Sequence, residues 1–289
     1  MKSPTRRDFL KKGALTGGVA GAATLIGTQV ASAGEKDDTV ERISKSGEMR
    51  ITYAVWPPTV IKDPKKSELE GHFVAMAKHI CEEMKVKPVW VESDWATWIA
   101  ALQAGQADIS IGATYATTLR AQSVDFTDPI IYLGWQAALR PGLEGDYKRL
   151  SDLDREDITI VGVDGGATLQ YVQRVFKKAK IDVLASGTDD MRAYLAVMSG
   201  RADMYVGDDY VQRKVMAEHP GKLVSMFAEP FRMNSVCWAV RRGDYALLNL
   251  MKVALRNIRD RGLDVEFERA VDADWIHPVP NFVSTSDLG

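Results

Sequence analysis

Two twelve-residue stretches 95 positions apart constrain this chain most: ALQAGQADISIG at 101–112 and AVMSGRADMYVG at 196–207. Five of the twelve positions are identical. Each stretch reads as a helix end, a glycine that stops the helix, a short apolar strand and a second glycine at the strand's carboxyl end. Such joints recur by chance in α/β proteins, yet the shared Ala-x-x-x-Gly-x-Ala-Asp frame favours two related α/β halves.

The surrounding pattern fits two such halves. In the first, Met49–Val55 reads as a strand that must turn at Trp56-Pro57-Pro58. Phe73–Met84 has helical apolar spacing, and Lys87–Glu92 reads as the next strand. Asp94 is placed to cap a helix whose apolar face is Trp95, Trp98, Ile99 and Leu102, and Asp108–Ile111 follows as a short strand. In the second half, strands at Ile158–Val163, Ile181–Ala185 and Asp203–Val206 alternate with helices. One helix is predicted over Ala167–Lys178, the other from Thr188 or Asp189 to Met198. Ser235–Val240 and Asp244–Arg261 add a strand and a long amphipathic helix. This alternation predicts parallel α/β layers.

In open α/β sheets, ligands sit beyond the carboxyl ends of the strands. Here those ends lead into Ala113–Arg120 in one half and Asp208-Asp209-Tyr210 in the other. The first segment offers hydroxyls and a guanidinium, the second carboxylates. Facing one another they suit a zwitterion: the arginine forks a carboxylate and the aspartate holds an ammonium. Two blander readings stand beside this one. Arg120 can pair with Asp125 or Asp128 at the surface, and Asp208 can be a helix N-cap.

Composition narrows the function. With 37 Lys+Arg against 39 Asp+Glu the net charge is −2, so no basic excess draws the chain to nucleic acid. No apolar run of 18 residues marks a membrane span. The histidines at 72, 79, 219 and 277 are scattered, and with only Cys81 and Cys237 beside them no metal-ligand spacing exists. No metal or other cofactor is expected. Cys81 in a predicted helix and Cys237 in a predicted strand favour two separate buried thiols over a disulfide. No G-x-S-x-G or H-E-x-x-H occurs, and Asp164-Gly165-Gly166-Ala167-Thr168 lacks the Lys-Ser/Thr of a phosphate loop.

The first 33 residues read as an address. Arg6-Arg7-Asp8-Phe9-Leu10-Lys11 precedes a Gly/Ala-rich apolar stretch and the small-residue site Ala31-Ser32-Ala33. The arginine pair resembles a twin-arginine (Tat) export signal, which implies a periplasmic protein exported already folded. Without this segment the chain holds 32 basic and 38 acidic residues, a net −6.

Over about residues 45–275 the chain resembles the amino-acid-binding proteins of ABC importers, the bacterial extracellular solute-binding proteins of family 3. The stretch from Gly112 through Arg120 to Val124-Asp125-Phe126-Thr127-Asp128-Pro129 carries the resemblance, with Gly162–Thr168 and Gly200–Asp208 in support. The resemblance implies the two-lobed type II periplasmic-binding-protein fold, two α/β lobes joined by two hinge strands. Lobe 1 would hold 45–133 and 234–289, and lobe 2 would hold 134–233. It implies that Arg120 binds the ligand's α-carboxylate and Asp208 its α-amino group. Thr168 and the amides of Ala167 and Thr168 would add anion contacts at a helix start. Trp56 and Trp95 would sandwich the ligand's side chain, and Ala113, Tyr115 and Thr117 would complete the site.

Several residues depart from the family pattern. Ala113 and Tyr115 stand where Ser or Thr is common, Thr59 where Phe is usual, and His72-Phe73 where an acidic residue follows the glycine. The pocket is therefore expected to be unusually aromatic and to suit an apolar, aromatic or cationic side chain. The implied partners are a small amino-acid-like ligand and an ABC permease with its ATPase, and the chain itself is expected to be a monomer. The alternative is a cyclohexadienyl dehydratase, an exported enzyme of the same two-lobed fold acting on prephenate or arogenate. Such an enzyme needs a general acid, for which Asp208 or Asp209 are the available carboxylates. A third reading is a soluble sensor or accessory protein that kept the fold without transport.

Overall fold

A computed structural model describes residues 38–63 and 68–273; the export segment expected at 1–33 lies outside them. In chain order the strands are β1 (Glu48–Tyr53), β2 (Ile61–Lys62), β3 (Leu69–Glu70), β4 (Lys87–Glu92), β5 (Ile109–Tyr115) and β6 (Val124–Phe126). They continue with β7 (Ile131–Leu139), β8 (Thr159–Val163), β9 (Lys180–Leu184), β10 (Met204–Asp208), β11 (Val224–Ser225) and β12 (Arg232–Arg241). The helices are α1 (Thr39–Ser46), α2 (His72–Glu83), α3 (Trp98–Gln103), α4 (Ala167–Val175), α5 (Asp190–Met198), α6 (Asp209–Glu218), α7 (Tyr245–Asp260) and α8 (Leu263–Arg269).

Eight strands form one path, β4-β1-β5-β12-β7-β10-β8-β9. Its two ends are alike. On one side β4, β1 and β5 run parallel, followed by antiparallel β12. On the other, β9, β8 and β10 run parallel, followed by antiparallel β7. The long strands β7 and β12 pair with each other between the halves.

The two copies of the repeat occupy matching places. Gly105 and Gly200 leave their helices at φ values of 67° and 75°, which a side chain resists. Asp108 then accepts the amide of Arg50 at 2.8 Å, at the start of β1. Asp203 likewise accepts the amide of Thr159 at 2.7 Å, at the start of β8. Each carboxylate is backed by arginine: Asp108 by Arg42 and Arg50, Asp203 by Arg140. In each half, therefore, the repeated aspartate clamps the amino end of the neighbouring parallel strand.

Strand patterning sets the core. In β10, Met204 and Val206 pack on one face with Val172 and Phe176, while Tyr205 packs on the other with Tyr194 and Val197. Helix α2 buries Phe73, Met76, Ala77 and Ile80 against the first half, beside Leu247, Met251 and Ile258 of α7. The departures Thr59 and His72 are both fully buried at this junction. Cys81 and Cys237 are separate buried thiols. Among the described residues no helix is long and apolar enough to cross a membrane.

Two predicted helices are shorter than their patterns suggest. The helix expected to reach Lys178 stops at Val175, because the Asp154 carboxylate takes the backbone amides of Lys177, Lys178 and Ala179 at 2.7–3.1 Å. Asp94 likewise accepts the amides of Ala96 and Thr97, at 3.0 and 2.9 Å, and makes a tight turn. Regular helix begins only at Trp98, and Trp95 is left on the turn rather than on the helix's apolar face.

Candidate functional site

The carboxyl ends of β5 and β10 meet across a cleft lined by Trp56, Trp95, Ala113, Tyr115, Arg120 and Ala167 among others, with Thr168 and Asp208. Eight of the nine expected site residues are thus brought together. Thr117 is the exception. It lies outside the lining, and its hydroxyl accepts the backbone amide of Arg120 at 3.3 Å, which holds the loop that presents the guanidinium. The residues that sequence reasoning missed are Val163, Gly166, Asp190, Tyr205 and Gly207.

Arg120 is 5% exposed. Its Nη1 donates to the Tyr115 carbonyl at 3.2 Å and its Nη2 to the Gly165 carbonyl across the cleft at 3.1 Å. Its guanidinium carbon lies 5.6 Å from the centre of the Trp98 ring. Among the described residues no carboxylate pairs with it. The surface alternative fails: Asp125 accepts the amide of Gly243 and Asp128 faces Lys252. Burial lowers the guanidinium pKa to about 10, a direction that an anion in the cleft would oppose.

Asp208 closes β10 at the N-cap position of α6, yet its side chain makes no capping bond. It accepts instead from the phenol of Tyr115. Burial, first, and the neighbouring Asp190 push its pKa up to about 7. The same burial and the Asp208 charge push the Tyr115 phenol well above its ordinary value. An ammonium placed here would relieve both acids.

Helix α4 points its amino end into the cleft through Gly166, Ala167 and Thr168. The first amides of any helix lack intrahelical acceptors, so this end favours an anion near Arg120. Gly165, just before it, has φ 76°, and a Cβ there would come within 2.5 Å of the Ala96 nitrogen. The two sides of the cleft therefore touch backbone to backbone at this glycine. Trp56 spans the cleft as well, its Nε1 donating to Asp190 at 3.3 Å. Among the described residues no group of three or more His, Cys, Asp or Glu is arranged to hold a metal ion.

Fold and cleft together define a two-lobed α/β binding-protein architecture with a charged pocket between its halves. The profile of the bacterial extracellular solute-binding proteins, family 3, matches residues 49–267, and the chain belongs to that family. Among relatives, it is 30% identical over 163 residues to a probable histidine-binding protein of Campylobacter jejuni, covering 56% of this chain and 60% of that one. It is 26% identical over 232 residues to an L-arginine-binding protein of Pseudomonas aeruginosa, covering 72% of this chain and 81% of that one. Among solved structures, an ancestral amino acid-binding protein described as a precursor of cyclohexadienyl dehydratase superposes with a TM-score of 0.70 at 27% identity, covering 81% of this chain and 99% of the other. A binding component of an ABC transporter from Wolinella succinogenes, complexed with lysine, superposes with a TM-score of 0.69 at 28% identity, covering 79% and 97%. The fold is accordingly the type II one of periplasmic binding proteins.

Proposed function

We propose that this protein captures an amino acid between its lobes in the periplasm and delivers it to an ABC permease driven by an ATPase. One observation carries the reading: Arg120 is a guanidinium held out of water with no carboxylate beside it among the described residues. Leaving a charge buried and unpaired is costly, and a ligand carboxylate removes the cost. Asp208 stands opposite to take the α-ammonium, and the amino end of α4, with Thr168, adds donors to the carboxylate. Trp56 and Trp95 flank the side chain. Ala113 and Tyr115 shape the floor. The family and the amino-acid-binding names of the relatives support this assignment, and the arginine pair at the N-terminus supports export by the twin-arginine route.

The lobe boundaries proposed, 45–133 with 234–289 against 134–233, fall between two adjacent rungs of the β7–β12 ladder. Leu133 pairs with Asn234 on one side of the step, and Gly134 with Met233 on the other. A hinge at that step lets both crossing strands bend together.

The dehydratase reading retains one supporting observation, a carboxyl of pKa about 7 beside a phenol in a closed pocket, and one structural neighbour described as a precursor of such an enzyme. Charge favours the binding reading: two carboxylates against one guanidinium repel a dicarboxylate such as prephenate. Calorimetric titration with the twenty amino acids, prephenate and arogenate separates the two. Tight binding of one amino-acid class without turnover is the expected result. Consumption of prephenate or arogenate would establish the enzyme instead.

A further inference from the structure

Asp190 opens α5 directly after Asp189, whose side chain caps the helix by accepting the Met191 amide at 3.0 Å. Asp190 is therefore not needed as the cap. It lines the cleft opposite Arg120, with Oδ1 accepting from the Tyr205 hydroxyl at 2.9 Å and Oδ2 from Trp56 Nε1 at 3.3 Å. Both donors are neutral, and among the described residues no cation pairs with it. Among the described residues the inner cleft then holds one cation, Arg120, against two acids, Asp190 and Asp208.

Asp190, Trp56 and Trp95 also line a second cavity that adjoins the first. Its remaining charged walls among the described residues are Glu92, Asp94 and Asp189, with no lysine or arginine among them. Glu92 is paired with Lys62, which leaves Asp94, Asp189 and Asp190 as the net charge that the described residues give this vestibule. A ligand whose carboxylate meets Arg120 and whose ammonium meets Asp208 satisfies one acid only. The second acid lines both cavities, and so do the two tryptophans.

We propose that Asp190 is the counter-charge for the ligand's side chain, and that the cleft takes an amino acid with a cationic side chain directed past Trp56 into the acidic vestibule. This rests on the amino-acid reading above and names its class. A net charge of +1 on the ligand neutralises the inner cleft, and the flanking indoles present their faces to a cation. The vestibule attracts the same charge during approach.

The test is calorimetric titration of the ligand-stripped protein with arginine, lysine, glutamine and glutamate, repeated on Asp190→Asn and Asp190→Glu. Arginine or lysine is expected to bind roughly 100-fold more tightly than glutamine, as a close buried charge pair commonly supplies. The preference is expected to shrink at least tenfold in Asp190→Asn and to return in part in Asp190→Glu. Circular dichroism checks that each variant is folded, and the wild-type preference stands as a test without either. Glutamine or glutamate binding as tightly as arginine and lysine would overturn the proposal while leaving the amino-acid reading intact. An unchanged arginine-to-glutamine ratio in folded Asp190→Asn would overturn it too. Binding of no amino acid would overturn both.

Discussion

Arg120 is a buried guanidinium with no carboxylate beside it among the described residues, and the role proposed for it is to meet the ligand's carboxylate. Arg120→Ala is expected to weaken ligand binding by about 3–5 kcal/mol, since the ligand's carboxylate would enter the cleft unpaired. The melting temperature of the ligand-free protein should stay near the wild-type value, because the substitution also removes a desolvated charge. Calorimetry and thermal unfolding on one preparation check both halves, and unchanged affinity would sink the assignment. Asp208 makes a prediction of opposite chemistry. Its carboxyl is raised from an ordinary 3.8 to about 7, so the folded protein binds a proton there that the unfolded chain has lost. Between about pH 4 and 7 the native state holds more protons, and stability contributed by this group falls as pH rises. The loss is complete above about pH 7 and amounts to at most about 4 kcal/mol. An ammonium ligand needs the ionised form, so its affinity should move the other way. Binding should weaken up to about tenfold per unit below pH 7 and release a proton, read by titrating in buffers of different ionisation enthalpy.

At the scale of elements, Gly165 joins strand β8 to helix α4 and is a point where backbone meets backbone across the cleft. Gly165→Ala costs about 1 kcal/mol from its left-handed φ in any state. In the closed state the new methyl would also meet the 95–96 backbone at 2.5 Å, a contact that backbone cannot yield. The variant is expected to fold and yet lose affinity by more than tenfold, and normal affinity would show that this contact does not accompany binding. The paired aspartates make a second case. Asp108 has a side chain 2% exposed and two arginines, whereas Asp203 is 14% exposed with one arginine that is itself 40% exposed. Asp108→Asn should therefore cost about 3 kcal/mol in urea unfolding and Asp203→Asn about 1 kcal/mol. The repeat, the alternation and the strand-end location of the site were legible because each is local: a glycine stop, a period, an aspartate frame. The end of α4 was not, because the carboxylate that takes its amides, Asp154, comes from a loop some twenty residues earlier. Asp190 and Tyr205 were hidden for a related reason. An acid in a first helical turn and a tyrosine in a strand are what ordinary dipole and packing chemistry put there, and only the folded cleft separates them from that background. Thr117 misled in the reverse direction, its hydroxyl serving the loop rather than the cleft.

On the scale of the whole molecule, the proposed capture between lobes makes these charges the switch between an open and a closed form. The closed arrangement buries Arg120 and Asp208 and sets Asp190 close enough to raise the Asp208 pKa. Closing without a ligand therefore desolvates a cation and brings two acids together, with three hydrogen bonds across the cleft in return: Arg120 to Gly165, Trp56 to Asp190 and Tyr115 to Asp208. Each bond has one charged partner and is worth about 1.5–3 kcal/mol net, less than the several kcal/mol that desolvating each of the three ions, Arg120, Asp190 and Asp208, costs. The open form should consequently dominate in the absence of ligand. A ligand supplying a carboxylate and an ammonium makes its strongest contacts only when both lobes reach it, and that difference in affinity moves the population. Small-angle scattering should record a smaller radius of gyration on adding the amino acid that binds. Arg120→Ala should keep the larger radius at the same ligand concentration, and Gly165→Ala at any concentration. The thiols provide an independent readout of integrity during such measurements. Cys81 and Cys237 are buried and pushed up to about 12, so a thiol reagent should react only as the protein unfolds. A radius that is already small without ligand, with the thiols still protected, would mean that the cross-cleft bonds outweigh the buried charge and that closure precedes capture.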